Sequence, residues 1–283
     1  MIKILIAGAH SFIGTSVERW LLKDKDKFKV STASTFNEEW KRLDFTKYDV
    51  VINVAGIAHR RITPDMEPLF YRVNRDLAIE LCQRAKESGV KQYIYLSSMN
   101  VYGDMNEIIK KDTKPVPKNF YGMSKLQADM GIQAMNNEQF KVVSIRPPVV
   151  YGRGCKGNFV KLEKLTKVTP IFPEYHNKRS LIYIDNLCEF IKLMILNAEA
   201  GVFHPQNREY ISTTGIVKEM AAVNHRKILY TKLLNPLIHM LLPKVRVMNR
   251  IFGDDLYDMA LSDYKNFSYC LVDFEESIRR MKT

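Results

Sequence analysis

The sequence predicts an α/β protein: a doubly wound parallel sheet with a small mixed α/β lobe towards the carboxyl terminus. Over the first half of the 283 residues, short apolar runs alternate with amphipathic stretches. This order is typical of a parallel sheet that carries helices on both faces. The run Val50-Val51-Ile52-Asn53-Val54-Ala55 is almost wholly apolar, as a strand buried on both faces should be.

The expected elements alternate regularly along the chain. We expect strands at 2–7, 28–32, 49–55, 92–97 and 141–146, and helices at 13–23, 67–88 and 121–136. Beyond residue 150 the pattern changes to short strands, loops and helices, with helices expected from Asp185 and from Thr213. We therefore predict that residues 1–150, with about 180–200, form one domain, and that 151–179 and 201–283 form the smaller lobe.

The stretch 67–88 shows helical periodicity most clearly. Apolar residues from Phe70 to Leu81 recur on one stripe, and Gly89 is a natural carboxyl-terminal stop. Asn74 lies on the same inward stripe, where an amide needs a hydrogen-bond partner. Two interpretations stay open at this point: a satisfied core amide, or a member of a catalytic network.

Composition excludes several classes of protein. The net charge of +12 suits nucleic acid, anionic lipid or a substrate with two phosphates, but no Lys/Arg block interleaved with aromatics is present, so we expect no nucleic-acid partner. The four cysteines are scattered and should be reduced and packed. We see no signal peptide and no apolar run of the ~20 residues that cross a bilayer, and expect a cytoplasmic protein without a transmembrane segment.

A turn that carries glycines follows the first strand and predicts a dinucleotide site. A strand, such a turn and then a helix point backbone N–H groups at a pyrophosphate, although a tight turn without a ligand has the same pattern. Ser11 replaces the usual middle glycine of the motif. The residues expected to bind the cofactor here are Gly8, His10, Ser11, Phe12, Ile13 and Gly14.

The choice between NAD and NADP is left open by the second strand. An acidic residue at its end would bind the adenosine ribose, and an arginine would accept a phosphate there. Phe28-Lys29-Val30-Ser31-Thr32 has neither. Asp44 is a candidate for contact with the adenine side of the cofactor, and a solvated loop carboxylate is an equal alternative.

Ser98, Tyr121 and Lys125 are the candidate catalytic residues. Tyr121 and Lys125 are four residues apart at the start of an expected helix and so share one face. For a phenol of pKa near 10 to act as a base near neutrality, its pKa must fall by about 3 units, or roughly 4 kcal/mol. A lysine cation and a positive nicotinamide ring supply such a shift. Ser98 would align the substrate oxygen.

These features resemble the extended short-chain dehydrogenase/reductase family, in its nucleotide-sugar epimerase/dehydratase branch. Further stretches that carry the resemblance are Val54-Ala55-Gly56-Ile57-Ala58-His59, Tyr121-Gly122-Met123-Ser124-Lys125-Leu126, Cys155-Lys156-Gly157-Asn158-Phe159 and Arg179-Ser180-Leu181-Ile182-Tyr183-Ile184-Asp185. The resemblance covers nearly the whole chain and implies a Rossmann-type nucleotide-binding domain.

The resemblance also implies roles for individual residues. Ala55 and Gly56 should pass close to the cofactor, and Pro148 should lie beside the nicotinamide. Asn158 and Arg179 match positions that hold the nucleotide diphosphate in the family. It further implies a possible homodimer, in which helices 67–88 and 121–136 of two copies form a four-helix bundle.

The expected reaction is reversible hydride transfer at C4 of a UDP-hexose or UDP-N-acetylhexosamine, as in a 4-epimerase, for which NAD would be favoured. An NAD(P)H-dependent reductase of a UDP-4-keto-6-deoxy-N-acetylhexosamine is the alternative. A dehydratase is disfavoured, because Met99 and Asn100 follow Ser98 where that chemistry needs an acid pair. A non-catalytic dinucleotide sensor is a third hypothesis, against which retention of Ser98, Tyr121 and Lys125 argues.

A histidine and a leucine-rich basic region bear on metal and membrane binding. His59 has no companion at metal-ligand spacing, so we expect no metal. The region from His225 to Arg250 mixes leucines with basic residues, and its central run Lys232–Leu242 could pack as a lid of the small lobe or lie on an anionic membrane surface. Packing is the favoured expectation, because helical apolar stripes are usually core, and peripheral membrane contact is the alternative.

Overall fold

The early apolar runs form the parallel sheet in a computed structural model, which describes residues 1–36, 38–58, 63–103 and 108–282, apart from the side chains of residues 39 and 246. His59 lies outside this part of the chain. The strands are β1 (Ile2–Ala7), β2 (Phe28–Ala33), β3 (Val50–Asn53), β4 (Gln92–Leu96), β5 (Lys141–Ile145), β6 (Val149–Tyr151), β7 (Ile171–Pro173), β8 (Leu181–Tyr183), β9 (Gly201–Phe203) and β10 (Leu229–Thr231).

Helices cover both faces of the sheet and recur through the later part of the chain. They are α1 (Phe12–Leu21), α2 (Glu67–Tyr71), α3 (Leu77–Glu87), α4 (Phe120–Gln133), α5 (Asn158–Thr166), α6 (Ile184–Leu196), α7 (Thr213–Val223), α8 (Asn235–Leu241), α9 (Arg246–Phe252), α10 (Met259–Ser262) and α11 (Phe274–Lys282). A π-helical turn, Arg72–Asp76, joins α2 to α3. No helix within the described ranges is both long and apolar enough to cross a bilayer.

Six strands lie side by side in the order β2-β1-β3-β4-β5-β9, and every pairing is parallel. Successive side chains of a strand point to opposite faces. In β1, Ile4 and Ile6 therefore pack with α1 and α6, whereas Leu5 and Ala7 pack with α3 and α4. The predicted α/β class and the doubly wound arrangement are confirmed.

Most predicted elements are observed within a few residues, with two differences. The stretch 67–88 is helical as predicted, but the π-helical turn interrupts its regular winding at Asn74. Gly201–Phe203 pairs with β5 and extends the large sheet past residue 200, where the sequence placed the start of a lobe segment. The division of the chain into two domains stays a prediction.

The remaining strands pair in two small sheets, β6 with β8 and β7 with β10. Around the second of these a separate apolar cluster forms, in which Phe172, Val217, Ile238 and Phe252 are buried. This cluster joins α7, α8 and α9 to β7. The mixed α/β character predicted for the later part of the chain agrees with these elements.

A buried polar network fastens α4 to the carboxyl ends of the strands. Asp129 of α4 accepts hydrogen bonds from Ser97 after β4, at 3.0 Å, and from Arg146 after β5, at 2.7 Å. Arg146 also donates to the Tyr102 hydroxyl, which shares a 2.8 Å hydrogen bond with His204 after β9. Because the partners belong to three adjacent strands, the network fixes the position of α4 against the sheet.

The turn after β1 requires its first glycine for two reasons. Gly8 has a φ of +112°, a conformation that residues with a side chain rarely adopt. A Cβ atom at this position would also lie 2.8 Å from the backbone nitrogen of Ala55. The close approach of the turn to the end of β3 therefore depends on Gly8.

We expect Gly8→Ala to destabilise the protein more than Gly201→Ala, which has a similar φ of +118° but open space around the added Cβ. Both changes cost about 1–2 kcal/mol of backbone strain, and the overlap with Ala55 adds about 1–3 kcal/mol for Gly8→Ala alone. Denaturant unfolding of the two variants measures the difference. Equal losses of stability would contradict the steric argument.

We also expect His204 to make stability depend on pH. Burial, with the nearby charge of Arg146, lowers the pKa of His204 to about 3. Below its ordinary pKa near 6.5 the unfolded chain therefore binds a proton that the folded chain does not, so stability is present above that value and falls as the pH falls. The loss from His204 is about 2 kcal/mol between about pH 7.5 and about pH 5.

Denaturant unfolding at several pH values, with His204→Gln as the reference, checks this expectation. The glutamine cannot titrate but keeps a polar atom for Tyr102, so the variant should lose less stability on acidification than the wild type. Parallel pH profiles for the two proteins would show that His204 is not responsible.

Candidate active site

The predicted cofactor residues and catalytic residues converge at the carboxyl edge of the large sheet. Gly8 follows β1, Ala55 and Gly56 follow β3, Ser98 follows β4, and Pro148 follows β5. In parallel sheets this edge is where ligands bind, at the point where the strand order reverses. Here the reversal lies between β1 and β3, directly beside the glycine turn.

Ser11 explains how the turn closes without a middle glycine. Its side chain accepts a hydrogen bond from the backbone of Gly14 at 3.0 Å and donates to the carbonyl of Gly8 at 2.8 Å. Ser11 is thus the N-cap of α1, and a Cβ on Gly14 would lie 2.7 Å from the Gly8 oxygen. In the usual motif a middle glycine closes the turn through its backbone conformation. Here the hydrogen bonds of the Ser11 side chain close it instead.

The remaining residues of this turn supply backbone N–H groups at the start of α1. Phe12 and Ile13 are the first residues of α1, and N–H groups at a helix start have no acceptor inside the helix. His10 is exposed and has a φ of +65°. This set of free N–H groups, at the positive end of the helix dipole, fits the pyrophosphate of a dinucleotide.

Ser98 is oriented by Asn100, a residue that sequence reasoning did not assign to the site. The Ser98 hydroxyl oxygen accepts hydrogen bonds from the backbone N–H of Asn100 at 3.2 Å and from its side-chain amide at 3.1 Å. A hydroxyl has two acceptor positions and one donor. Because Asn100 occupies both acceptor positions, the Ser98 proton is available to Tyr121 or to a substrate oxygen.

Tyr121 is held beside Ser98 by a close contact between α4 and the turn after β4. A Cβ on Gly122 would lie 2.5 Å from the carbonyl oxygen of Asn100, so this approach requires glycine. Phe70 packs edge-on against the Tyr121 ring at 6.2 Å. Burial raises the pKa of the Tyr121 phenol, and the hydrogen bond with Ser98 opposes that rise.

Lys125 lies one helical turn further along α4 and faces the cofactor edge. Its Nζ donates to the carbonyl of Leu96 at 2.8 Å and would be 3.2 Å from a Cβ on Gly56. Burial lowers the pKa of Lys125 to about 8, and the charge of Asp129 opposes this shift. The predicted effect of Lys125 on the Tyr121 pKa stays a prediction, because burial and Ser98 account for the shift described above.

Asn74 forms the link between β3 and α4. Its side chain accepts from the backbone of Ile57 at 2.8 Å, donates to the carbonyl of Ile57 at 3.2 Å and donates to the Ser124 hydroxyl at 3.3 Å. A Cβ on Gly56 would lie 3.0 Å from the Asn74 oxygen. Asn74 is therefore a buried amide with all its described hydrogen bonds made, as the first interpretation predicted. Its oxygen also lies beside Gly56 at the cofactor edge, and its membership of a catalytic network stays a prediction.

Three predicted binding residues make their described contacts with residues outside this group. Asp44 is exposed and accepts hydrogen bonds from the backbone and hydroxyl of Thr46 in its own turn. Asn158 is the exposed first residue of α5. Arg179 donates to the carbonyl of Arg250 at the end of α9, at 2.7 Å, and lies 3.7 Å from Asp255. Their roles towards a ligand stay predictions.

Asp129 is a second residue that sequence reasoning missed. It follows Lys125 by four residues and Tyr121 by eight, so all three lie on the same face of α4. Its charge supports the protonated form of Lys125. The signal was present in the sequence as an opposite charge at the helical spacing from Lys125.

The chain is similar to a family model and to several known proteins. Residues 4–206 match the sequence model of the NAD dependent epimerase/dehydratase family. The chain is 32% identical over 244 residues to a UDP-glucose 4-epimerase of Vibrio cholerae, covering 77% of this chain and 74% of that protein. It is 27% identical over 245 residues to the N-acetyl-alpha-D-glucosaminyl-diphospho-ditrans,octacis-undecaprenol 4-epimerase of Escherichia coli O157:H7, covering 80% and 73%.

The fold has counterparts among solved structures. The crystal structure of UDP-glucuronic acid 4-epimerase from Bacillus cereus in complex with NAD superposes with a TM-score of 0.76 over 99% of both chains, at 19% identity. This likeness concerns the fold. Together with the family match over most of the chain and the relative above 30% identity, it confirms the resemblance that the motifs indicated. The chain belongs to the NAD-dependent epimerase/dehydratase family.

Proposed function

We propose that this protein is a nucleotide-sugar 4-epimerase that acts on a UDP-hexose or UDP-N-acetylhexosamine by reversible hydride transfer at C4. The observation that carries the proposal is the arrangement of Ser98, Tyr121 and Lys125 at the edge of the sheet where the glycine turn lies. Both curated relatives described above are 4-epimerases, and both act on sugars joined to a carrier through a diphosphate.

The proposal assigns each half of the cofactor to a different set of residues. The first N–H groups of α1 would hold the pyrophosphate. Ala55, Gly56 and Pro148 would pass beside the nicotinamide half, and Lys125 would hold the ribose hydroxyls. A side chain at position 56 would crowd Lys125 and Asn74. Nicotinamide, when bound, accepts the hydride from C4 and returns it.

The residues of this chain would manage the proton. Tyr121 takes the proton of the C4 hydroxyl as the hydride leaves C4, so C4 becomes a carbonyl carbon. Ser98 donates its hydrogen bond to the same oxygen, since Asn100 occupies its acceptor positions. After the keto sugar turns over, Tyr121 returns the proton while C4 receives the hydride on its other face. The sugar then differs only in its configuration at C4, and the enzyme is back in its starting state.

Burial opposes this chemistry in the free protein, because it raises the pKa of the Tyr121 phenol. The proton transfer therefore depends on positive charge near the ring. Lys125 and an oxidised nicotinamide are the two sources, and Asp129 keeps Lys125 charged although burial lowers the Lys125 pKa to about 8. We infer that Tyr121 becomes an effective base only in the cofactor complex.

Several finer points belong to the same proposal. Asn158 and Arg179 would hold the diphosphate, in agreement with the charge of the arginine. Asp44 would lie at the adenine end of the cofactor. A homodimer would use α3 and α4, where Met130 is 66% exposed and free to pack on a second copy. NAD is favoured over NADP because an epimerase regenerates its own cofactor.

We expect Tyr121→Phe to lower kcat by about 10²–10⁴-fold, because the phenylalanine keeps the contact with Phe70 but cannot exchange a proton. The measurement is chromatographic separation of UDP-glucose from UDP-galactose, and of the two N-acetyl analogues, after incubation with the protein. Tyr48→Phe, at a half-buried tyrosine that precedes β3 and has no assigned role in the site, is the matched control. A Tyr121→Phe variant as active as wild type would refute the assigned base.

We expect the purified protein to hold NAD and to epimerise without added cofactor. Denaturing the protein and identifying the released nucleotide by chromatography tests this, and Lys125→Gln should reduce the amount retained because it removes the ribose contact. Turnover that consumes one NADPH per sugar would instead assign the protein to the 4-ketoreductases.

A further inference from the structure

Large apolar side chains are exposed along the segment that holds α8 and α9. Leu233 is 88% exposed, Met240 55% and Val247 60%. We define the outer face as the exposed apolar residues of this segment, which are Leu233, Leu234, Leu237, Met240, Val245 and Val247. Contiguous exposure of this kind is uncommon on a water-facing surface and indicates an interaction site.

The outer face is distinct from the side by which the same segment is anchored. Ile238 is only 3% exposed and packs with Phe172, Val217 and Phe252 in the apolar cluster of the smaller lobe. The packing predicted from the sequence therefore concerns one side of α8. Leu237 and Met240 point away from that cluster, because they lie at roughly 100° and 200° of helical rotation from Ile238.

The charged side chains of residues 220–253 are all basic, and Glu174 is an acidic neighbour that lies near Lys232. Residues 220–253 include no Asp or Glu. Over the same span the sequence has these basic residues: Arg226, Lys227, Lys232, Lys244, Arg246 and Arg250. Lys232 and Lys244 are exposed; Lys232 precedes α8 in the chain and Lys244 follows it. An apolar face bordered by cations is complementary to a surface that combines hydrocarbon with negative charge.

The outer face also adjoins the part of the lobe where the substrate diphosphate is expected. Arg179 donates to the carbonyl of Arg250 at 2.7 Å, and Asn177 donates to the carbonyl of Gly253 at 3.1 Å. A cavity of about 300 Å³ lies between residues 175–177 and the α8–α9 segment, lined by Leu242 and Phe252 among others. The cavity and the outer face thus share the α8–α9 segment, the cavity on its inner side.

We propose that the outer face docks on the surface of an anionic lipid bilayer. Leu233, Leu237 and Met240 enter the boundary between headgroups and acyl chains, while Lys232 and Lys244 contact lipid phosphates. A second copy of the chain is disfavoured as the occupant, because a symmetric contact would bring two clusters of positive charge together. Nucleic acid would leave the exposed leucines without an apolar partner.

The test is co-sedimentation of the full chain with vesicles, without any sugar substrate. We expect binding to vesicles of phosphatidylglycerol and phosphatidylethanolamine, much weaker binding to pure phosphatidylcholine, and a decrease as salt is raised. Binding that is equal for neutral and anionic vesicles, or absent from both, would overturn the proposal.

Two double variants, each with a control elsewhere on the protein, test whether the outer face is the docking surface. Leu237→Glu/Met240→Glu should lower binding by at least about tenfold, because two carboxylates replace apolar insertion. Leu271→Glu is its control, since Leu271 is 57% exposed on another part of the surface. Lys232→Gln/Lys244→Gln should lower binding by about twenty-fivefold, at about fivefold for each cation lost. Lys25→Gln/Lys27→Gln, at two exposed lysines before β2, should leave it unchanged.

The remaining outcomes are equally decisive. If all four variants bind as the wild type does, the outer face is not the docking surface. If size-exclusion chromatography shows a dimer that Leu237→Glu/Met240→Glu dissociates, the occupant is a second copy and the proposal is wrong. The 4-epimerase assay on the same samples separates the two hypotheses: loss of vesicle binding with normal turnover concerns docking alone.

Discussion

The ion pair between Asp129 and Arg146 is the constraint on which the site depends. A buried charge is tolerated only when it is paired and hydrogen-bonded, and here the pair joins α4 to the ends of two neighbouring strands. Removing one partner of such a pair typically costs about 3–5 kcal/mol, because the other charge stays buried. The position of α4, and with it Tyr121 and Lys125, therefore rests on an interaction that has few acceptable substitutes.

From this anchor the geometry of the site follows over short distances. Gly122 permits the first turn of α4 to contact the carbonyl of Asn100, and Asn100 in turn orients the Ser98 hydroxyl. Each contact is local, and each uses a residue with a specific steric or hydrogen-bonding property. The hydroxyl, the phenol and the ammonium thus reach one edge of the sheet from two elements whose relative position is fixed by buried polar contacts.

The sequence predicted the sheet, its helices and the grouping of Ser98, Tyr121 and Lys125, because these leave local signals, namely apolar runs, helical stripes and a fixed Tyr–Lys spacing. It did not predict the role of Asn100, which depends on a turn bringing its amide back to Ser98. Nor did it predict that Arg179 binds the end of α9, since those residues are 71 positions apart. Such pairings depend on tertiary packing, which composition and periodicity do not encode.

The π-helical turn at Arg72–Asp76 fixes the number of residues between Glu67 and Glu87 as strictly as packing fixes their types. A turn of this kind contains one residue more than regular helix would use. Losing that residue would rotate α3 by about 100° and turn Ala78 and Leu81 away from the sheet they pack against. We infer that descendants of this chain can vary the outer positions of the helix freely, whereas insertions and deletions must accumulate outside Glu67–Glu87.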